Sequence, residues 1–357
     1  MSEKSAIRVL IVDDSLVVRN LLAWIIEREP GMTVAGIARN GEEAVKQATL
    51  LNPDVVSMDI EMPQMNGIEA TKRLMEQAPV PIVIASSRYK SGETALSMEV
   101  LAAGAVAIVE KPAGPGHLDH ERQSRHYIRT LRAMAGVKVI RRRQLGKQPE
   151  GSFQGSFHEK PPKAKEGAYR VLVIGASAGG PEGVQIILKR LPTNFPLPIA
   201  VVQHIDLRFA EGYCHWLAET TGKEVHIVST RTEMLPGKVY LTAMPRHLVI
   251  LSRDHIGISD ELPAGGHKPA VARLFSSAYE VFGGNVIAVL LSGMGRDGAA
   301  ELKQLRDAGA YTIIQDEQSC LVFGMPGEAA KLNAHLHALP PHAIADLILK
   351  LVKNYNA

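Results

Sequence analysis

Short runs of apolar, mostly β-branched residues, spaced by stretches with helical periodicity, constrain this chain more than any other feature. "IRVLIV", "DVVSMDI", "PIVIAS" and "AVAIVEKP" recur between residues 5 and 130, with "SLVVRNLLAWIIERE" and "GEEAVKQATLL" among the intervening stretches. Continuous Val- and Ile-rich runs read as strands buried on both faces. Their alternation with helices calls for the parallel sheet of a doubly wound α/β domain. The rhythm returns between residues 169 and 357. Candidate strands there are "YRVLVIGAS", "PIAVVQH", "KVYLT", "HLVILS", "NVIAVLLS" and "YTIIQD". Candidate helices are "PEGVQIILKRL", "AEGYCHWLAETTG", "HKPAVARLFSSAYEVFG" and "GAAELKQLRDAG".

Residues 137–168, "VKVIRRRQLGKQPEGSFQGSFHEKPPKAKEGA", break the rhythm. They are rich in Lys, Arg, Gly, Pro and Ser, the composition of a linker. "RRRQLGK" could serve as a basic patch for an acidic partner, but a solvated linker is the simpler reading. The expected division is a first domain over 1–136, a linker over 137–168 and a second domain over 169–357. A chain of 357 residues suits two or three domains of ordinary size.

Composition narrows the class. Hydrophobic residues make up 46% and charged residues 22%, which suits a packed globular protein. The net charge of +3 gives no case for a nucleic-acid or membrane-surface protein. The two cysteines, Cys214 and Cys320, match no zinc or redox spacing, so free thiols in a reducing compartment are expected. The start "MSEKSAIRVLIVDD" has no long apolar stretch, and no segment reaches bilayer-spanning length. The expectation is a soluble, cytoplasmic protein without membrane insertion.

Several strands of the first region end in a polar residue. "VDDS" supplies Asp13 and Asp14, "MDIEMP" supplies Asp59, "IASS" supplies Ser86 and Ser87, and "EKP" supplies Lys111. Ligands of open α/β sheets sit at the carboxyl ends of strands. Three carboxylates converging there repel one another, and an oxygen-only set suits Mg²⁺ as the counter-charge. A lysine and a hydroxyl beside them would steady a phosphoryl group on one carboxylate. Singly, an Asp at a strand end is more often a helix cap.

Taken jointly, the pattern resembles a response-regulator receiver domain of two-component signalling, with a flavodoxin-like fold. The resemblance implies that Asp59 accepts the phosphoryl group from a histidine kinase. It implies that Asp13 and Asp14 bind the metal with Asp59 and the Glu61 backbone carbonyl. Ser86 and Lys111 match the residues that steady the phosphoryl group.

In the second region, "VIGASAGGPEG" contains the G-x-S-x-G pattern of Gly175 to Gly179. That pattern describes a strand–turn–helix elbow exposing Ser177, and Pro181 suits the first turn of the helix. The same geometry suits an anion loop or a plain turn, although the P-loop lysine and the dinucleotide-binding glycine order are absent. A serine nucleophile needs a base, and the base needs an orienting group. His204 follows "PIAVVQ" and Asp297 lies in "LLSGMGRDG", so both also fall just past strand ends. His215, His247 and His267 are rival bases. The order Ser…His…Asp differs from the usual α/β-hydrolase order.

"IGASAGG", "VVQH", "LPGKVYL", "RHL", "GHKPAVARLF", "LLSGMGRDGA" and "QDEQSCLVFGMP" resemble the catalytic domain of chemotaxis-type protein-glutamate methylesterases. With the receiver and linker, nearly the whole chain resembles the two-domain response regulators of that family. The resemblance places catalysis on Ser177, His204 and Asp297, with oxyanion contacts from backbone N–H groups at Ala178 and Met294. It implies hydrolysis of γ-glutamyl methyl esters on the cytoplasmic domains of chemoreceptors, with deamidation of receptor glutamines as a second activity. The esterase chemistry needs no cofactor. The receiver is expected to restrain the second domain until Asp59 is phosphorylated.

Ala178 stands where the family usually has threonine, Asp206 where it has proline, and "LTAMPRHL" replaces the usual loop. A response regulator that acts mainly by binding, with a slow or redirected esterase domain, is the alternative. A DNA-binding regulator is not supported, because no helix-turn-helix pattern or strongly basic helix is present.

Overall fold

The computed structural model describes residues 6–86, 91–140 and 169–353. The chain separates into two compact units, Met1–Gln144 and Leu145–Ala357. Ser87 and residues 141–168, most of the expected linker and its basic run, lie outside the described residues.

The first unit runs β1 (Ile7–Val12), α1 (Leu16–Glu27), β2 (Met32–Ala38), α2 (Gly41–Leu51), β3 (Val55–Met58), α3 (Gly67–Gln77), β4 (Ile82–Ser86), α4 (Ser91–Ala103), β5 (Ala107–Glu110) and α5 (His120–Ala135). Its five strands are parallel in the order β2-β1-β3-β4-β5, the flavodoxin-like arrangement. Every residue of β3 and β4 is buried, as their unbroken apolar runs require. Ser15, Asn40 and Asn66 cap the first three helices by accepting the N–H groups of Val18, Glu43 and Glu69.

The second unit runs β6 (Val171–Ala176), α6 (Gly180–Arg190), β7 (Ile199–Gln203), α7 (Leu207–Thr221), β8 (Val225–Ile227), β9 (Thr232–Glu233), β10 (Val239–Leu241), β11 (His247–Ser252), β12 (His255–Ser259), α8 (Val271–Phe282), β13 (Val286–Leu290), α9 (Ala299–Asp307), β14 (Tyr311–Gln315), α10 (Met325–Lys331), β15 (His337–Leu339) and α11 (Pro341–Lys353). Seven parallel strands form the main sheet, in the order β15-β14-β13-β6-β7-β10-β8. β6, β7, β13 and β14 are buried along their whole length.

One expected strand belongs elsewhere. "HLVILS" is β11, and it pairs antiparallel with β12 in a separate sheet of order β11-β12-β9. Only Arg253 and Asp254 separate β11 from β12. A two-residue connection permits a hairpin, whereas a parallel pairing needs a crossover of about a dozen residues.

Candidate functional site

In the second unit the chain leaves β6 toward β7 and later returns to place β13 on the other side of β6. Strand order therefore reverses at β6, and a crevice opens at the carboxyl ends of strands at such a point. Ser177 follows β6, His204 follows β7, and Asp297 lies on the loop after β13. Three neighbouring strands thus bring the three residues to one crevice.

Ala176 is in register with Gln203, and the His204 N–H donates to the Ala176 carbonyl at 2.9 Å, so Ser177 and His204 lie side by side. Gln203 Nε2 donates to the carbonyls of both Ser177 (2.8 Å) and His204 (3.0 Å). The Gly180 N–H also donates to the Ser177 carbonyl, at 2.8 Å. In a planar trans peptide the N–H points away from the C=O. Clamping the Ser177 carbonyl therefore fixes the direction of the Ala178 N–H. The Gly293 carbonyl is clamped likewise, by the N–H groups of Gly324 (3.0 Å) and Met325 (2.8 Å), which fixes the Met294 N–H.

The loops meet at glycines. A Cβ on Gly293 would sit 2.7 Å from Ser177 Cβ and 2.4 Å from Met325 Sδ. Gly179 has φ of 74°, and a Cβ there would sit 2.4 Å from Leu321 Cβ. Ser292, fully buried, ties the loops together. Its hydroxyl donates to the Ala178 carbonyl (2.7 Å) and accepts the Val322 N–H (3.0 Å). Its carbonyl accepts the Ser177 N–H at 3.0 Å, and its own N–H donates to Gln315 Oε1 at 2.9 Å.

His204 Nε2 lies 2.8 Å from Asp297 Oδ2. Both ring nitrogens are buried and neither makes a hydrogen bond of standard geometry among the described residues, so Nε2 is held by its ion-pair contact with Asp297 and Nδ1 has no polar neighbour at that distance. The first turn of α8 holds the carboxylate from the other side: Oδ2 accepts the Val271 N–H (2.7 Å) and Oδ1 the Ala272 N–H (2.9 Å). Burial alone would raise the Asp297 pKa. The His204 contact and the two N–H donors outweigh it and hold the carboxyl below its ordinary value.

The rival histidines do other things. His215 is exposed on α7. His247 is buried, and its Nδ1 accepts the Ala270 N–H at 3.2 Å. His267 stacks on His204. Of the positions that depart from the family pattern, Asp206 caps α7 by accepting the Arg208 N–H at 3.0 Å, and it pairs with the Arg208 guanidinium at 2.7 Å.

In the first unit Asp13 and Asp14 follow β1 and Asp59 follows β3, again where strand order reverses. One ligand atom from each of the three carboxylates lies within 4.8 Å of the others. Lys111 Nζ sits 2.7 Å from Asp13 Oδ2 and 2.8 Å from Asp59 Oδ2. Burial, reinforced by Asp13, pushes the Asp59 carboxyl up to about 6 against the pull of Lys111. Burial opposes the charge on Lys111, yet Asp59 and Asp13 more than offset it and raise its pKa. The oxygen-only donor set, with Asp14 exposed at its edge, fits a hard divalent cation. Ser86 ends β4 and is buried, with its carbonyl accepting the Lys111 N–H at 2.8 Å. Glu61 is exposed two residues after Asp59.

Sequence reasoning missed several supports. Gln203, Ser292 and Gln315 each stand at the end of an apolar run, and that placement was the available signal. Arg19 gave none: it is buried in α1 and donates to the carbonyls of Asp13 (2.7 Å) and Asp14 (2.8 Å).

Among the described residues, no helix is long and apolar enough to cross a membrane. The CheB methylesterase family model matches residues 172–348, and the response regulator receiver domain model matches residues 9–122. A protein-glutamate methylesterase/protein-glutamine glutaminase of Geobacter metallireducens is 43% identical, over 97% of this chain and 99% of that protein. Its counterpart in Nitrosospira multiformis is 40% identical, over 97% of each. The crystal structure of the Thermotoga maritima CheB methylesterase catalytic domain covers 52% of this chain and 99% of its own, at 31% identity and a TM-score of 0.50. Domain matches in this order, and such identity over nearly the full length, decide the matter: the chain belongs to the protein-glutamate methylesterase/protein-glutamine glutaminase family, with a response regulator receiver domain ahead of a CheB methylesterase domain.

Proposed function

We propose that the chain is a serine-type protein-glutamate methylesterase of the cytoplasm, controlled by phosphorylation of its receiver. The observation that carries the reading is the His204–Asp297 contact at 2.8 Å, placed one strand away from Ser177. The Asp297 carboxylate beside Nε2 favours the tautomer with the ring proton there, which leaves the lone pair on Nδ1. Nδ1 takes the Ser177 proton as Oγ attacks the γ-glutamyl ester carbonyl. Asp297 stabilises the imidazolium that forms. The Ala178 and Met294 N–H groups, each fixed through its clamped carbonyl, bind the oxyanion. His204 returns the proton to the departing methanol. It then activates a water that releases the glutamate carboxylate. An amide substrate follows the same acyl-enzyme route with ammonia as the leaving group. The substrates are methylated or amidated segments in the cytoplasmic domains of chemoreceptors.

In the receiver, Asp59 is the phosphoryl acceptor and a histidine kinase the donor. Asp13, Asp14, Asp59 and the Glu61 carbonyl would hold Mg²⁺, which when bound neutralises phosphoryl charge. Lys111 and Ser86 steady the phosphoryl oxygens. The domain bounds that suit this reading are 1–136 and 169–357, with 137–168 as linker.

The test is methanol release from methylated receptor membranes. Wild type should release it, and faster with a small-molecule phosphodonor and Mg²⁺. Ser177→Ala should release none, and Asp59→Asn should lose the stimulation alone. Release by Ser177→Ala at the wild-type rate would overturn the mechanism.

A further inference from the structure

One segment, residues 262–272, supports the imidazole–carboxylate pair from two sides. Its end is the first turn of α8, whose Val271 and Ala272 N–H groups hold Asp297. Its middle carries His267. Ala264 and His267 exchange backbone hydrogen bonds of 3.1 and 3.0 Å across Gly265 and Gly266. Those glycines have φ of 58° and 87°, a turn that few other residues would accept. The His267 ring then lies over the His204 ring, with centroids 4.1 Å apart and planes 4° from parallel.

His247 ties this segment at both ends. Its Nδ1 accepts the Ala270 N–H, so its proton is on Nε2, which donates to the Leu262 carbonyl at 3.1 Å. His247 is completely buried, so its tie to Ala270 is shielded from water, while its tie to the exposed Leu262 is only partly so.

The base must present Nδ1 to the serine while keeping Nε2 on Asp297. The Asp297 contact fixes one ring atom, and rotation of the ring about that atom would still spoil the alignment. A flat group packed parallel to the ring removes that freedom.

We propose that His267 is a positioning residue that fixes the plane of the His204 ring by stacking and takes no part in proton transfer. This rests on the reading of Ser177, His204 and Asp297 as the catalytic triad. Burial, with His204 adding to it, holds His267 below its ordinary pKa. It therefore stays neutral near pH 7 and does not repel the imidazolium that forms on His204.

The test uses the full chain and a soluble receptor fragment carrying glutamate methyl esters. Small misplacements of catalytic groups cost up to about a hundredfold in rate, so His267→Ala should lower kcat about 10- to 100-fold with KM changed by less than about twofold. His267→Phe keeps a flat ring and has no nitrogen, so it should restore kcat to within about threefold of wild type. Equal inactivity of folded His267→Ala and His267→Phe would show that a ring nitrogen is needed and would overturn the proposal. Wild-type kcat in His267→Ala would overturn it too. If His267→Ala does not fold, His267→Phe decides alone. The triad reading fails separately, if Ser177→Ala is as active as wild type.

Discussion

His204 Nε2 meets Asp297 Oδ2 at 2.8 Å, and the same carboxylate accepts two N–H groups from the first turn of α8. Asp297 therefore orients the His204 ring and is itself oriented by a helix. Asp297→Asn places an NH₂ where the pocket supplies only donors on the backbone side. The variant should lose about 10³- to 10⁴-fold in kcat, by analogy with tautomer loss in serine proteases. It should also lose about 1–3 kcal/mol of stability for an unsatisfied buried N–H, read by urea denaturation.

Gln203 reaches the carbonyls of Ser177 and His204 with one amide nitrogen. Gln203→Leu keeps the volume and removes one of the two donors to the Ser177 carbonyl, so only the Gly180 N–H still holds the direction of the Ala178 N–H. An oxyanion donor is worth about 10²- to 10³-fold in rate, so a loosened one should cost about tenfold or more in kcat. Single-turnover rates of acylation would show it, with substrate affinity little changed.

Ser292 is buried and joins three loops through its hydroxyl and backbone. Ser292→Ala strands the Val322 N–H and the Ala178 carbonyl without their hydroxyl partner. Destabilisation of about 1–3 kcal/mol is expected in equilibrium unfolding of the second unit.

His267 gives the second unit a pH signature. Burial first, and His204 second, lower its pKa from 6.5. The unfolded chain then binds more protons than the folded one between the lowered value and 6.5, so stability rises with pH across that window. The contribution is fully present above 6.5 and is lost as pH falls toward the folded value. His267→Phe should lose less unfolding free energy than wild type when acidified through this window.

Lys111 bridges Asp13 and Asp59 in the receiver. Lys111→Met leaves two buried carboxylates facing each other, which should destabilise the receiver by about 3–5 kcal/mol at neutral pH. Added Mg²⁺ should recover part of that loss, seen as a rise in the receiver melting temperature larger than in wild type.

Much of this was legible in the sequence, for particular reasons. Ser177, His204 and the receiver carboxylates stand directly after Val- and Ile-rich runs and Asp297 lies on the loop that follows one, and a parallel sheet gathers the ends of such runs at one edge. The hairpin of β11 and β12 was not legible from "HLVILS" alone, because an apolar run does not declare its pairing partner. β8, β9 and β15 have three residues or fewer, too short for periodicity to register. His267 looked like a rival to His204, since sequence shows residue type but not ring planes. Gln203 and Ser292 act through backbone carbonyls, a role that leaves no motif of its own.

The most direct test of the central claim is to trap the acyl-enzyme. A receptor fragment bearing a glutamate methyl ester is mixed with the full chain, quenched in acid within milliseconds, digested and examined by mass spectrometry. A glutamyl adduct on the peptide containing Ser177, absent from Ser177→Ala and strongly diminished in His204→Ala, is the predicted result. Ester hydrolysis at the wild-type rate with the adduct on another residue would contradict the account.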